Sequence, residues 1–152
     1  MDDAFATDHT RGMIARDAAS AMLGMTVERA EPGSAVVRMR VRADMVNGFG
    51  VAHGGLVFAL ADTAFALACN EGDAVVLAAG ADVTFLSPAT EGERLTATAA
   101  RRALAGRSGL YDVTVTADDG RIVAEVRGRS RVRGPAADPT GVPHADAGAA
   151  GA

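Results

Sequence analysis

The amino-acid sequence predicts an α+β domain in which an antiparallel sheet packs on one long, buried helix. A run from Leu56 to Asn70 lacks Gly and Pro and is rich in helix-forming residues. Strand-like segments lie on both sides of this run, two before it and four after it, without the strand–helix alternation of a parallel sheet. The dipeptide Asp119-Gly120 between the last two strands is a signal for a tight antiparallel hairpin.

The segment before the long helix is predicted to form one short helix and two strands. Residues 10–23 carry apolar side chains at helical spacing, and Gly24 follows them as a helix terminator. Residues 25–30 form the first predicted strand. In the second, residues 34–42, apolar side chains alternate with arginines, which predicts a strand with one exposed face: Val37, Met39 and Val41 against Arg38, Arg40 and Arg42.

The segment after the long helix is predicted to contain four strands, at residues 75–86, 94–103, 110–117 and 122–133. Residues 135–152 then contain three prolines and no apolar side chain larger than valine. Because such a composition cannot bury a core, it predicts a disordered tail behind a single domain of residues 1–134.

The predicted long helix is apolar on every face, so we expect it to be buried nearly all round. One side of one sheet cannot cover such a helix, and a second copy of the chain is the simplest additional cover. Aromatic residues make up only 4% of the 152 residues, so the core of one chain is poor in large side chains. Both observations predict a homo-oligomer.

Charge and composition exclude several classes of function. A net charge of −4 argues against a general nucleic-acid binder. The acidic N-terminus lacks the features of a signal peptide, and the longest apolar run, residues 54–70, carries a carboxylate that a membrane helix would not. One cysteine and three scattered histidines offer no metal site, and no nucleotide-binding fingerprint is present. We therefore expect a cytoplasmic protein without a membrane span, a metal or a resident cofactor.

Asp62 is the only charged residue within the long apolar run. A structural aspartate would bond a backbone amide or a hydroxyl such as that of Thr63. Because burial of a carboxylate is costly, Asp62 must have partners or a raised pKa, and either condition also suits a general base or a nucleophile. From the residue alone, the two interpretations are about equally supported.

The glycine-rich loop from Asn47 to Gly55 leads directly into the predicted helix. Helix starts present unpaired N–H groups, which stabilise a carbonyl oxygen that gains negative charge. Gly54 precedes Asp62 by eight residues, which is about 12 Å along one helix. A carboxylate cannot act at ~3 Å on a carbonyl held that far away, so a shared site requires Asp62 from a second subunit.

The spacing of Asn47, His53-Gly54-Gly55 and Asp62, followed by Ser87-Pro88, closely resembles that of the hotdog-fold acyl-CoA thioesterases. Within them it is most similar to the PaaI type, the (hydroxy)phenylacetyl-CoA thioesterases associated with phenylacetate degradation. The similarity runs from about residue 24 to residue 134 and is most specific over residues 45–70.

The resemblance implies a hotdog fold, in which an antiparallel sheet wraps around the long helix, subunits pair their sheets edge to edge, and dimers form tetramers. It implies an acyl-CoA substrate, with coenzyme A as part of that substrate. By position, the Gly54 N–H would polarise the thioester carbonyl, and Asn47 and His53 would shape the loop. Asp62 of the neighbouring subunit would activate water or attack the carbonyl itself.

Residues for substrate binding are less sharply defined. Gly55 adjoins the expected carbonyl site, and four apolar side chains are candidates either for an acyl pocket or for the core: Met45, Phe49, Phe58 and Phe65. Arginines are candidates for the phosphates of coenzyme A, although a solvated strand face explains most of them equally well: Arg101, Arg102, Arg127, Arg129, Arg131 and Arg133.

One stretch departs from the resemblance. Related enzymes often carry Ser or Thr on the strand after the helix, whereas this chain has residues 78–81 as Ala-Ala-Gly-Ala, with Asp82 as the nearest polar side chain.

Two alternative functions remain open from the sequence: a hotdog hydratase or dehydratase acting on an enoyl or hydroxyacyl thioester, and a non-catalytic acyl-CoA-binding module.

Overall fold

A computed structural model describes residues 4–135, so most of the predicted tail, residues 136–152, lies outside the described residues. The described part contains three α-helices, one 3₁₀ turn at Ala43–Met45 and six strands. The helices are α1 (Asp8–Ala15), α2 (Ala18–Met22) and α3 (Gly54–Cys69). The strands are β1 (Thr26–Glu31), β2 (Ser34–Arg40), β3 (Ala74–Phe85), β4 (Arg94–Ala105), β5 (Ser108–Ala117) and β6 (Ile122–Pro135).

The six strands form one antiparallel sheet in the order β1-β2-β4-β5-β6-β3. This confirms the predicted α+β class and the predicted order of the six strands and the long helix. The turn between β5 and β6 contains Gly120 at φ 84°, as the predicted hairpin requires. Strand β3 follows α3 in sequence but pairs with β6, so it forms a free edge of the sheet.

Helix α3 lies on the inner, apolar face of the sheet. Its buried alanines, Ala61, Ala64 and Ala68, recur at helical spacing and allow the helix to approach the strands closely. Phe65 packs against Tyr111 of β5, with ring centroids 5.4 Å apart and planes tilted by 57°. Phe65 also covers Gly128, where any side chain would meet the ring at 3.0 Å.

Within one chain α3 is not buried all round, as expected if a second copy of the chain is needed to cover it. The sheet covers one face, and the opposite face is only half-buried because no other part of residues 4–135 lies fully over it: Leu56, Phe58, Ala59, Asp62, Thr63 and Ala66. The one charged residue of the helix therefore lies on the face that the sheet does not cover.

The predicted helix over residues 10–23 is two helices. The helix is interrupted at Asp17 because the Asp17 carboxylate accepts hydrogen bonds from the Ser20 N–H at 2.9 Å and from the Ser20 hydroxyl at 2.6 Å. This side chain thereby starts α2 as an N-cap instead of continuing α1. The N-terminal segment also joins the sheet edge, since the Ala6 N–H donates to the Ala30 carbonyl at 2.9 Å.

Predicted strand positions are correct, with ends that differ by up to two residues. The last strand continues through Pro135, which pairs with Ala74, because β3 extends far enough to provide a partner. Within residues 4–135, no helix is long and apolar enough to cross a membrane.

Candidate active site

The start of α3 leaves one backbone N–H group free. His53 is the N-cap, and its Nδ1 accepts a hydrogen bond from the Gly55 N–H at 3.1 Å. The N–H groups of Leu56 and Val57 donate to the His53 carbonyl, at 2.9 and 3.2 Å. Among the described residues, the Gly54 N–H has no acceptor, so it is the donor that this helix start offers to a ligand.

The loop before α3 is held by Asn47. Its Oδ1 accepts hydrogen bonds from the N–H groups of Phe49 and Val51, at 2.9 and 3.4 Å. Gly50 lies at φ 74°, which completes the turn. Asn47 and Gly54 line one cavity of about 370 Å³, together with Phe85 and the segment after it. Asn47 therefore shapes the wall that faces the free Gly54 N–H.

Asp62 lies in a different cavity, of about 460 Å³, on the half-buried face of α3. Three segments of the chain surround it. The lining residues are His9, Met13, Arg16 and Asp17 from the N-terminal helices, Asp62, Phe65, Ala66, Cys69 and Asn70 from α3 and its end, and Val75, Val76, Leu77 and Ala78 from β3. Most of this surface is apolar, so the carboxylate faces a largely hydrophobic space.

The carboxylate of Asp62 has no hydrogen bond or ion pair anywhere in residues 4–135. Thr63, which could have held it, instead shares a hydrogen bond of 2.9 Å with the Ser20 hydroxyl. Burial raises the pKa of Asp62 above its ordinary value, and the nearby negative charge of Asp17 raises that pKa further. A desolvated carboxylate without partners is a strong base for its type, which is the condition that general-base or nucleophilic catalysis requires.

The residues predicted to bind substrate fall into different environments. Phe65 lies beside Asp62 in its cavity but is itself part of the buried core. Met45 is buried in the core, and its carbonyl accepts the His53 N–H at 2.8 Å. Phe58 is half-buried on α3, whereas Phe49 is 94% exposed at the loop tip. In the single chain, therefore, these side chains do not form one pocket.

The N-terminal helices contribute to the Asp62 cavity, which was not predicted from the sequence. His9, Met13 and Arg16 follow one another at intervals of four and three residues, so they share one face of α1 and its end. The acid at position 17, three residues before Ser20, was the one local signal, since that spacing is typical of a helix N-cap. Nothing in the sequence indicated which part of α3 these residues would contact.

Most of the arginines proposed for coenzyme A are paired with carboxylates. Arg101 contacts Glu71 at 2.6 Å, and Arg129 contacts Asp82 at 2.5 Å. Asp112 pairs with both Arg102 and Arg127, at 3.3 and 2.7 Å. Asp82 is thus engaged in an ion pair. The Asp62 cavity is lined on its β3 side by Val75–Ala78, and these residues carry no hydroxyl in place of the Ser or Thr of related enzymes.

Cys69 is not a nucleophile in this arrangement. Burial raises the pKa of its thiol to about 12, so the thiolate is scarce at neutral pH. No three His, Cys, Asp or Glu side chains of the described segment are grouped closely enough to hold a metal ion.

Comparison with known proteins places this geometry in a family. The profile of the Thioesterase superfamily matches residues 49–124, which include the Gly54 helix start and Asp62. The chain belongs to the thioesterase superfamily. This match and the PaaI relatives described next confirm the predicted hotdog fold and the predicted similarity to the PaaI type.

Individual members of the thioesterase superfamily are similar over most of the chain. The acyl-coenzyme A thioesterase PaaI of Escherichia coli is 39% identical over 125 residues, which cover 82% of this chain and 89% of that protein. A solved structure of E. coli PaaI, from the phenylacetic acid degradation operon, has a TM-score of 0.82 at 38% identity and covers 84% of this chain and 92% of its own. The structure of a mutant of the phenylacetic acid degradation protein PaaI of Thermus thermophilus has a TM-score of 0.70 at 39% identity. The match covers 74% of this chain and 96% of that protein.

Proposed function

We propose that this member of the thioesterase superfamily hydrolyses acyl-CoA thioesters with aryl or medium-sized acyl groups, (hydroxy)phenylacetyl-CoA being the substrate to test first. The observation that carries the proposal is the unpartnered, desolvated carboxylate of Asp62 in an apolar cavity. The names of the PaaI relatives support the substrate class. Hydration of an enoyl thioester and passive binding of acyl-CoA have no comparable support among these relatives.

The free Gly54 N–H and the Asp62 carboxylate lie in separate cavities of one chain. Strand β3 connects the two cavities, because Val75–Ala78 line the cavity of Asp62 while Phe85 contacts Gly54 at the other end of the strand. Antiparallel pairing of two β3 edges about their midpoint would place Phe85 of one subunit beside the beginning of β3 in the other. Such a dimer brings the Gly54 N–H of one subunit to the Asp62 cavity of the next.

The edge of β3 has the properties of an interface. It is twelve residues long, contains no Pro or Lys, and has one acid, Asp82, whose charge is paired. Apolar side chains at this edge are partly exposed, with Val83 at 38%, Phe85 at 52% and Leu86 at 56%. A long, uncovered apolar edge strand promotes aggregation unless it is paired, so we propose a homodimer through β3 as the minimal active unit.

In the proposed reaction, the thioester carbonyl oxygen accepts a hydrogen bond from the Gly54 N–H, which stabilises the negative charge of the tetrahedral intermediate. Asp62 of the other subunit removes a proton from water, and the resulting hydroxide attacks the carbonyl carbon. The C–S bond then breaks, and the coenzyme A thiolate takes up the proton from Asp62. Attack by Asp62 itself, through an acyl anhydride that water later cleaves, uses the same geometry.

The test combines two inactive parents. Asp62→Asn removes the carboxylate, and Gly54→Pro removes the N–H, while the extended backbone of His53 (ψ 127°) is compatible with a following proline. If each site takes one residue from each subunit, a mixed dimer contains one site with both defects and one intact site. Refolding the parents together should therefore restore up to about half of the wild-type activity per mixed dimer. Mixed dimers without activity would contradict the shared site.

A second experiment tests the edge. Val83→Asp introduces an unpaired charge into the proposed β3 interface, and we expect a shift from dimer to monomer in sedimentation, with loss of turnover although Asp62 is intact. Leu104→Asp is the matched control, since Leu104 is 56% exposed at the far end of the β4–β5 hairpin. Equal behaviour of the two variants would exclude β3 as the interface.

A further inference from the structure

We infer that α1 forms one wall of the acyl-binding subsite and that Met13 sets the size of the acyl group that fits beside Asp62. This inference depends on the proposed thioesterase function, and it assigns specificity to a segment outside the residues 49–124 that match the family profile. It follows from the shape of the Asp62 cavity, the fixed position of α1 and the place of Met13 on that helix.

The end of the Asp62 cavity beside Cys69 and Asn70 is lined by buried side chains and offers no free polar group. Phe65 and Cys69 are buried there. The side chain of Asn70 has all its atoms engaged, since Nδ2 donates to the carbonyls of Ala66 and Val76 and Oδ1 accepts the Val76 N–H, each at 2.9 Å. An acyl group that enters this end therefore meets only apolar surface and satisfied amides, which favours an apolar acyl body.

Helix α1 is attached to the rest of the domain through hydrogen bonds made just before its start and just after its end. Just after the end of α1, the Asp17 carboxylate accepts a hydrogen bond from the Ser20 hydroxyl. The Ser20 hydroxyl also lies 2.9 Å from the hydroxyl of Thr63, the residue that follows Asp62. Before the start of α1, the N–H of Ala6 donates to Ala30 of β1. Because these bonds hold the chain on both flanks of α1, they position the helix whose residues His9 and Met13 line the cavity.

Met13 is the apolar member of the α1 face that lines the cavity. His9 lies one turn before it and Arg16 nearly one turn after it, so the wall is apolar in the middle and polar at both ends. The volume of about 460 Å³ exceeds the ~150 Å³ that holds benzene in a protein cavity, so an aryl-acetyl group fits if Met13 keeps its present position. A smaller residue at position 13 would enlarge this space, and a rigid aromatic ring would narrow it.

The test compares Met13→Ala and Met13→Phe with wild type on acetyl-CoA, phenylacetyl-CoA and naphthylacetyl-CoA. We expect Met13→Ala to raise the ratio of kcat/KM for the naphthyl over the phenyl substrate by about 10-fold. We expect Met13→Phe to lower the ratio for phenylacetyl-CoA over acetyl-CoA by about 10-fold or more, since one misplaced methylene already changes discrimination by ~10-fold. Ile14→Ala is the matched control, because Ile14 is half-buried on the same helix and packs on the core but does not line the cavity.

Binding of phenylacetate, measured by calorimetry, separates the inference from the proposed function. If wild type hydrolyses none of the substrates but binds phenylacetate in a Met13-dependent way, the thioesterase proposal fails and the subsite stands. If wild type is active and all three variants share its specificity ratios, the thioesterase proposal stands and the role of Met13 is wrong. Phenylacetate binding that is equal in wild type, Met13→Phe and Ile14→Ala would also overturn the inference.

Discussion

The two functional regions of α3 differ in what produces their chemistry. At the helix start, the Gly54 N–H is left free because the His53 side chain accepts from the neighbouring Gly55 N–H instead, and Gly54 is only half-buried. In the middle of the helix, a side chain is made reactive by withdrawal from water and from partners. The first region depends on local loop geometry, whereas the second depends on α1, α2 and β3 packing around one carboxylate. We therefore expect substitutions far from the site to affect the reactivity of Asp62 more than the Gly54 N–H.

The largest expected effect comes from Asp62→Asn, which keeps the shape of the side chain and removes its charge. Loss of a base or nucleophile typically lowers kcat by at least ~10²-fold, and by more if the step is covalent. Circular dichroism and sedimentation should show an unchanged fold and assembly. Retention of most of the activity would mean that the cavity holds a structural aspartate.

At the helix start, Gly54→Pro and Gly54→Ala form a matched pair. Both add a Cβ that meets the Phe85 ring at about 3.0 Å, but only proline removes the N–H group. Removal of one oxyanion donor costs about 10²–10³-fold in kcat, so the proline variant should be slower than the alanine variant by that factor. Similar rates for the two would assign the loss to crowding against Phe85 alone.

The pH dependence of the reaction distinguishes the Asp62 carboxylate, which titrates, from the Gly54 N–H, which does not. Since the working form of Asp62 is the carboxylate, kcat should fall as pH decreases through its raised pKa, above the ordinary value of 3.8. A raised pKa means that the folded state binds the Asp62 proton more tightly than the unfolded state does. Ionised Asp62 therefore lowers the stability of the fold, and this loss is complete once the pH exceeds the pKa in the folded state. Asp62→Asn should therefore be at least as stable as wild type at pH 7, and this advantage should vanish towards pH 3. Chemical denaturation at several pH values measures it, and a variant less stable at pH 7 would contradict the absence of partners.

The smallest expected effect is that of His53→Ala. It removes the acceptor of the Gly55 N–H, and loss of such a cap costs about 1 kcal/mol of unfolding free energy. Activity should change less than in the Gly54→Pro variant, because the Gly54 N–H remains. His53→Asn, which keeps a cap acceptor, should recover most of the stability in thermal melts. A loss of activity as large as that of Asp62→Asn would instead place the imidazole in the reaction.

The sequence by itself determined the α+β class, the six strands and the long helix, because periodicity, glycine positions and the Asp119-Gly120 turn are local properties. It also singled out Asp62 and Gly54, since a lone acid in an apolar run and a glycine-rich helix start are visible without a fold. Their separation along one helix was likewise fixed by helix geometry.

Tertiary structure decided the environment of those residues. Only packing shows that Thr63 turns to Ser20 and leaves Asp62 without a partner, and that the predicted single N-terminal helix breaks at Asp17. Only packing puts Met45 in the core and Met13 in the cavity wall. Such contacts join residues far apart in the chain, and their energies depend on which surfaces the fold brings together, which no local pattern of side chains encodes.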